Sequence, residues 1–208
     1  VFERKQDGQK LHPIEVHDIL CLMAEAVLSG GIRRSSFVAF FSPGDQDMLK
    51  CKFGDWLNHS PWRSKANNDA CLLRGKHTEK DFWKYWDLIA ASKSGEPGIY
   101  WTNSLEWIFN PCLEASLQSS TFCNLVTVPV DDVFDQEELE RRAKLASRIA
   151  TLQAAYTDFH YLRPIWIERT EESRLIGVSM TGIVAGGVEK LDLGAAARVV
   201  LEENSRMA

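Results

Sequence analysis

The chain has 208 residues, 45% of them hydrophobic and 25% charged, with a net charge of −5. That length can bury a real core in one domain or two, and the acidic balance excludes a nucleic-acid polymer, which would favour a basic face, while leaving room for a single nucleotide in a local pocket. No apolar run approaches the ~20 residues that span a bilayer, so no membrane partner is expected.

The N-terminus shows no signal-peptide pattern. Five cysteines, an odd number without the spacing of small secreted domains, point to a reducing cytoplasm. There is no Cys-x-x-Cys and no His-x-x-x-His pair, so no metal site is expected. Pro13 suits the first turn of a helix. Val16, Leu20, Met23 and Val27 recur at helical spacing and form its expected buried stripe, and Gly30-Gly31 ends it. Residues 35–41 read as a buried strand, Ser42-Pro43-Gly44-Asp45 as a turn, residues 46–57 as a short helical or irregular piece, and residues 68–73 as another strand. Thr78 with Asp81 marks a helix start, with Phe82, Trp86 and Ile89 as its inward face. Residues 92–98 form a loop. Asp135 with Glu138 resembles a capping box and opens a long helix with Leu145, Ile149, Leu152 and Tyr156 along one face. Residues 175–180 read as a strand, a Gly-rich turn follows, and a last helix begins at Leu193. Strands alternating with helices indicate an α/β architecture with parallel strands. No internal repeat or low-complexity linker divides the chain.

The most informative stretch is Asn110-Pro111-Cys112-Leu113-Glu114. Pro111 cannot extend a helix backward and has no N–H for a ladder, which makes this a loop or strand end. In an extended segment, residues two apart point to one side. Asn110, Cys112 and Glu114 would then put an amide, a sulfur and a base around one small space. Eleven residues after Cys112 comes Cys123, at the head of a strand-like run over 122–129. Other features read more plainly. Cys21 and Cys71 are expected to be small buried residues, and Cys51 is assigned no role. Trp83, Trp86, Trp101 and Trp107 read as core packing, and His160 beside Tyr161 as packing rather than catalysis. Arg33-Arg34 is either a solvated charge pair or a device that orders a nucleotide-binding face. Asn67-Asn68 is either turn chemistry or, as favoured here, part of a substrate pocket.

Asn110-Pro111-Cys112-Leu113-Glu114 followed by Phe122-Cys123-Asn124-Leu125 resembles the active-site finger loop of ribonucleotide reductases, most of all the adenosylcobalamin-dependent class II enzymes. Five more segments agree in family order: Ser29-Gly30-Gly31-Ile32-Arg33-Arg34-Ser35, Ala66-Asn67-Asn68, Gly95-Glu96-Pro97-Gly98, Arg148-Ile149-Ala150-Thr151-Leu152-Gln153, and Ile176-Gly177-Val178-Ser179-Met180-Thr181-Gly182-Ile183. The resemblance implies that residues 1–208 are part of a catalytic domain built as a ten-stranded α/β barrel, with the finger loop near residues 108–116. It implies reduction of ribonucleoside di- or triphosphates to deoxyribonucleotides, with adenosylcobalamin as cofactor. Cys112 would carry the thiyl radical, Glu114 would act as base on the 3′-hydroxyl, Asn110 would hold the sugar, and Cys123 would be one of two reducing thiols. Asn67 and Asn68 would contact substrate. The implied partners are the ribonucleotide substrate, a deoxynucleotide effector and a thioredoxin-like dithiol reductant. Members of this family are several times longer. The partner thiol of Cys123 and a phosphate-cradling loop fall outside this chain, so it is expected to be a fragment that works when flanking reductase segments complete it, and uncovered apolar strand edges predict poor solubility alone. The alternative is a non-catalytic remnant that binds other reductase chains.

Overall fold

The structure, a computed structural model, describes residues 5–29 and 33–208. The helix stop expected at Gly30-Gly31 lies outside the described residues. The chain divides into two units, Val1–Ser116 and Leu117–Ala208.

In the first unit, α1 (Pro13–Ala26) starts at Pro13, whose missing N–H would have had no helical partner there. The Glu15 carboxylate accepts from the His12 N–H at 2.7 Å and closes this end. Two short antiparallel strands follow, β1 (Leu28–Ser29) and β2 (Arg33–Arg34). Strand β3 (Phe37–Phe41) leads to α2 (Gln46–Leu49), capped by the Asp45 carboxylate on the N–H groups of Asp47 and Met48. Then come α3 (Trp56–His59), a 3-10 turn (Pro61–Lys65) and β4 (Ala66–Leu73). Thr78 and Asp81 form the expected reciprocal cap of α4 (Glu79–Ser92), and β5 (Gly98–Thr102) follows. The sheet runs β3-β4-β5, parallel throughout, pairing Phe37 with Ala66 and Asp69 with Gly98. Its core is Phe41, Met48, Leu49 and Ala70, with Ile14, Ala39, Tyr85 and Leu88 packed against it. A narrow ribbon follows, of β6 (Ile108–Phe109) and β7 (Ser116–Leu117), and the unit ends at the first residue of β7.

The second unit pairs β8 (Asn124–Pro129) in parallel with β9 (Ile176–Thr181), Asn124 opposite Ile176. Between them lie α5 (Gln136–Ala154), capped by Asp135 on the Glu138 N–H, and α6 (Ile165–Ser173). The chain closes with α7 (Leu193–Met207). Val128, Val130, Val133, Leu139, Ala143, Ala146, Val188 and Ala196 form the core. The parallel α/β expectation is therefore met in both units. A closed ten-stranded barrel is not among the described residues.

Three expected faces are corrected. On α1 the stripe of Val16, Leu20, Met23 and Val27 is outside, 42–60% exposed, and His17, Cys21 and Ala24 are buried instead. The rotation is set by polar contacts that hydrophobic periodicity does not register. Arg63 grips both oxygens of Asp18 at 2.7 Å and also reaches the Cys51 carbonyl. Burial works against charge on Asp18, but this guanidinium outweighs it and holds the carboxyl below its ordinary range. His17 Nε2 meets Asn68 Oδ1 at 2.9 Å, while Asn68 Nδ2 points at Cys51 Sγ at 3.1 Å. With that amide oriented so, its oxygen accepts and His17 Nε2 is the donor. On α4, Trp86 is half exposed, and Tyr85 and Leu88 take the inward role expected of it. On α5, Leu145, Ile149 and Leu152 face outward, as does Tyr156 just past its end, while Leu139, Ala143, Ala146, Ser147, Ala150, Thr151 and Ala154 are buried. Small side chains let α5 and α7 approach closely, and the Ser147 hydroxyl donates to the Val200 carbonyl at 2.8 Å. Three of the four tryptophans expected in core packing are also outside it: Trp83, Trp86 and Trp107 are 39–51% exposed.

Candidate active site

Pro111 and Cys112 occupy the tip of the β6–β7 ribbon, and the loop is a tight turn rather than an extended run. Its shape comes mostly from Asn110. The Asn110 N–H donates to the Ala115 carbonyl at 3.2 Å, and the Leu113 N–H donates to the Asn110 carbonyl at 2.9 Å. The Asn110 side chain works in both directions. Its Oδ1 accepts from the Ala115 N–H at 3.1 Å, and its Nδ2 donates to Glu114 Oε1 at 2.7 Å. Leu113 sits at φ +66°, in the left-handed region. That conformation costs a non-glycine residue about 1–2 kcal/mol, so the turn depends on these hydrogen bonds to persist.

The alternation of an extended strand does not apply to such a turn. It is the curl of the chain that brings residues 110 and 114 into contact. Cys112 is exposed at the tip between them. One further bond ties the turn to the sheet: Asn67 Nδ2, on β4, donates to the Pro111 carbonyl at 2.8 Å. The partner is a carbonyl oxygen, which can only accept, so the nitrogen end of this amide must face the loop. No periodicity could have signalled this contact, which joins positions 44 residues apart. Asn68, the next residue, points to the opposite face of β4 as strand neighbours must, into the buried contacts with His17 and Cys51. Asn68 is engaged at both ends of its amide, whereas Asn67 is exposed and gives the loop one of its two N–H groups.

The other thiols differ in kind. Cys21, Cys51 and Cys71 each have burial as the leading cause of a thiol pKa pushed up to about 11, which makes them poor nucleophiles. Cys123 is half-buried and immediately precedes β8 in the second unit. Beside it, Phe122 packs its ring 4.8 Å from Phe159 and 4.9 Å from Trp166, and Asn124 Nδ2 donates to the Leu175 carbonyl at 2.9 Å. Among the described residues, no group of three or more His, Cys, Asp or Glu is placed to hold a metal ion, and no helix is long and apolar enough to cross a membrane.

No family model matches the chain, and no solved structure matches it. Curated relatives do. Over 196 residues the chain is 32% identical to the adenosylcobalamin-dependent ribonucleoside-triphosphate reductase of Lacticaseibacillus paracasei, a match that takes in 85% of this chain and 25% of that protein. It is 29% identical over 197 residues to the protein of the same name from Lactobacillus helveticus, with the same coverage. Against that of Euglena gracilis it is 26% identical over 201 residues, covering 85% of this chain and 26% of the relative. The chain thus spans about a quarter of the length of the curated relatives it matches. Likeness sustained over that length reflects common descent: the chain is homologous to one segment of adenosylcobalamin-dependent ribonucleoside-triphosphate reductases, consistent with a partial class II ribonucleotide reductase.

Proposed function

We propose that this chain supplies the radical-carrying loop of a ribonucleotide reductase that converts ribonucleoside di- or triphosphates to deoxyribonucleotides, in a cytoplasm that keeps its thiols reduced. The observation that carries the reading is the turn itself: an exposed thiol two residues from a carboxylate that the Asn110 amide grips at 2.7 Å. On this reading residues 1–208 are part of one catalytic domain of ten-stranded α/β barrel type, and the ribbon tip is its finger loop. Flanking reductase segments complete it, a deoxynucleotide effector tunes it, and a thioredoxin-like dithiol recharges it.

Adenosylcobalamin, named in the relatives, supplies when bound an organic radical from its cobalt–carbon bond. Among the residues present, Cys112 fits that chemistry, because a sulfur exposed on a turn can be approached from outside the chain. As a thiyl, Cys112 takes the 3′-hydrogen of the ribose and becomes a thiol. Glu114 accepts the proton of the 3′-hydroxyl, which requires hydrogen-bond reach to that oxygen. Asn110 holds the Glu114 carboxylate in place, and its amide holds the sugar. The 2′-hydroxyl takes one proton from the cysteine pair and leaves as water, and Glu114 later returns its proton to the 3′-oxygen. Cys123 and a second thiol from a flanking segment provide two electrons and two protons and end as a disulfide. The 3′-hydrogen then returns from Cys112, which regenerates the thiyl.

The test restores the flanking segments by fusion and assays deoxynucleotide and released base. The 208-residue chain alone should give no turnover, and the completed protein should. Cys112→Ser should abolish all reduction, because an alcohol O–H is far harder to convert to a radical than a thiol. Cys123→Ser should still lose the 3′-hydrogen but decompose substrate with release of base. Glu114→Gln should slow the chemical step by about 10²–10⁴-fold with nucleotide binding retained. Any reduction by Cys112→Ser overturns the assignment, and a completed protein with no activity favours the non-catalytic, chain-binding alternative.

A further inference from the structure

We infer that Asn67 is a positioning residue for the Cys112 loop, and not a substrate ligand. This rests on the reading of Cys112 as the reacting sulfur. The bonds among residues 110–115 fix the shape of the turn. Tyr100 on β5 holds the base of the ribbon, its hydroxyl donating to the Trp107 carbonyl at 3.4 Å and its ring 5.5 Å from that of Phe109. The bond from Asn67 anchors the tip. Its acceptor is the carbonyl of the peptide unit whose nitrogen belongs to Cys112, so it anchors the plane from which the Cys112 Cα departs.

The other end of the anchor is stiff. Asn67 lies within β4, paired with Val38 of β3, and β4 goes on to pair with β5 from Asp69 to Leu73. Its neighbour Asn68 is locked by His17 and Cys51 on the far face, so this part of β4 cannot easily rotate. A hydrogen-abstracting sulfur must approach its target to about 3–3.5 Å, and a displacement of about 1 Å lowers the rate strongly. A donor fixed on a strand and aimed at the carbonyl next to the reacting residue suits that demand.

Hydrogen exchange of the 208-residue chain, read by mass spectrometry over the loop peptide, tests the anchor without any cofactor. Asn67→Asp keeps the shape and replaces the donor with an acceptor. Amides of residues 110–115 should then exchange about three- to tenfold faster, the worth of one hydrogen bond, with the Tm of the chain little changed. Asn67→Gln, which retains the donor, should return most of the protection. Unchanged loop exchange in Asn67→Asp overturns the proposal, as does a fall in protection spread evenly over β4. In the protein completed by flanking segments, Asn67→Asp should lower kcat and leave the KM for nucleotide near its original value. A raised KM at normal kcat would make Asn67 a substrate ligand and end the positioning role. Cys112→Ser in the same background separates the two ideas. If it still reduces substrate, the functional reading fails whatever the exchange shows. If it is inactive while Asn67→Asp turns over normally, the positioning role alone fails.

Discussion

Gly98 stands opposite Asp69 where β5 joins β4, and a Cβ there would lie 2.0 Å from Asp69 Oδ1 and 3.0 Å from its Cγ. Asp69 is buried, and burial first, then the charge of Glu96, raises its pKa. Its carboxyl therefore has little room to move. Lys52, itself buried, pairs with Glu96 at 2.8 Å next to this spot. Gly98→Ala should accordingly destabilise the chain by roughly 1–3 kcal/mol, the usual cost of overpacking. Asp69→Ala combined with Gly98→Ala should recover most of that loss, because the clash has a single source. Strictly additive losses in thermal unfolding of the double variant would show that the carboxylate is not what excludes a side chain. The same scale shows how far a residue reading reaches. Strand alternation led Asn110, Cys112 and Glu114 to be read as converging; the structure joins Asn110 and Glu114 at 2.7 Å, through a turn and not through alternation. The Asn67-Asn68 doublet reads as one feature, yet a strand sends its two side chains to opposite faces. One holds the loop and the other holds α1.

At the scale of elements, caps were legible and faces were not. Thr78 with Asp81, and Asp135 ahead of Glu138, start helices where the pattern places them, because capping is local chemistry between residues three apart. Strands 68–73 and 175–180 are found within a residue or two for a similar reason. Which side of a helix is buried depends on distant partners. For α1 these are Arg63 and Asn68. For α5 it is α7, whose Glu203 is buried and paired with Arg148 on α5 and Arg206 on α7. Arg206, then Arg148, holds the Glu203 carboxyl at about 2, well below its ordinary 4.5. An acid depressed in the fold contributes stability that is complete above its unfolded value and is lost as pH falls toward the folded one. The difference in Tm between the parent chain and Glu203→Gln should be largest above about pH 5 and shrink steadily toward pH 2. A difference that stays constant across that window would remove the ion pairs from the account of how α5 and α7 hold together.

At the scale of the molecule, the two misread stripes share a cause. A heavy apolar stripe on a helix is normally its buried face. Here α1 and α5 each bury a row of small or polar residues and leave Leu20, Met23, Ile149 and Leu152 at 44–65% exposure. Both helices thus pack a row of small or polar residues inward and carry their large apolar residues on the other side, as helices do when both sides meet other structure. That fits a chain spanning about a quarter of its relatives' length. Large apolar surface left in water drives association. The 208-residue chain should therefore self-associate as its concentration rises, with sedimentation velocity showing species heavier than the 23.6 kDa monomer. Ile149→Lys with Leu152→Glu on α5, and Leu20→Glu with Met23→Lys on α1, should shift it toward monomer. Each pair should leave the Tm nearly unchanged, because substitutions at exposed positions usually move stability by no more than about 0.5 kcal/mol. A parent chain that stays monomeric at high concentration would refute the association. A sharp loss of Tm in either double variant would place that stripe inside the chain's own packing, and the exposure on which the argument depends would be wrong.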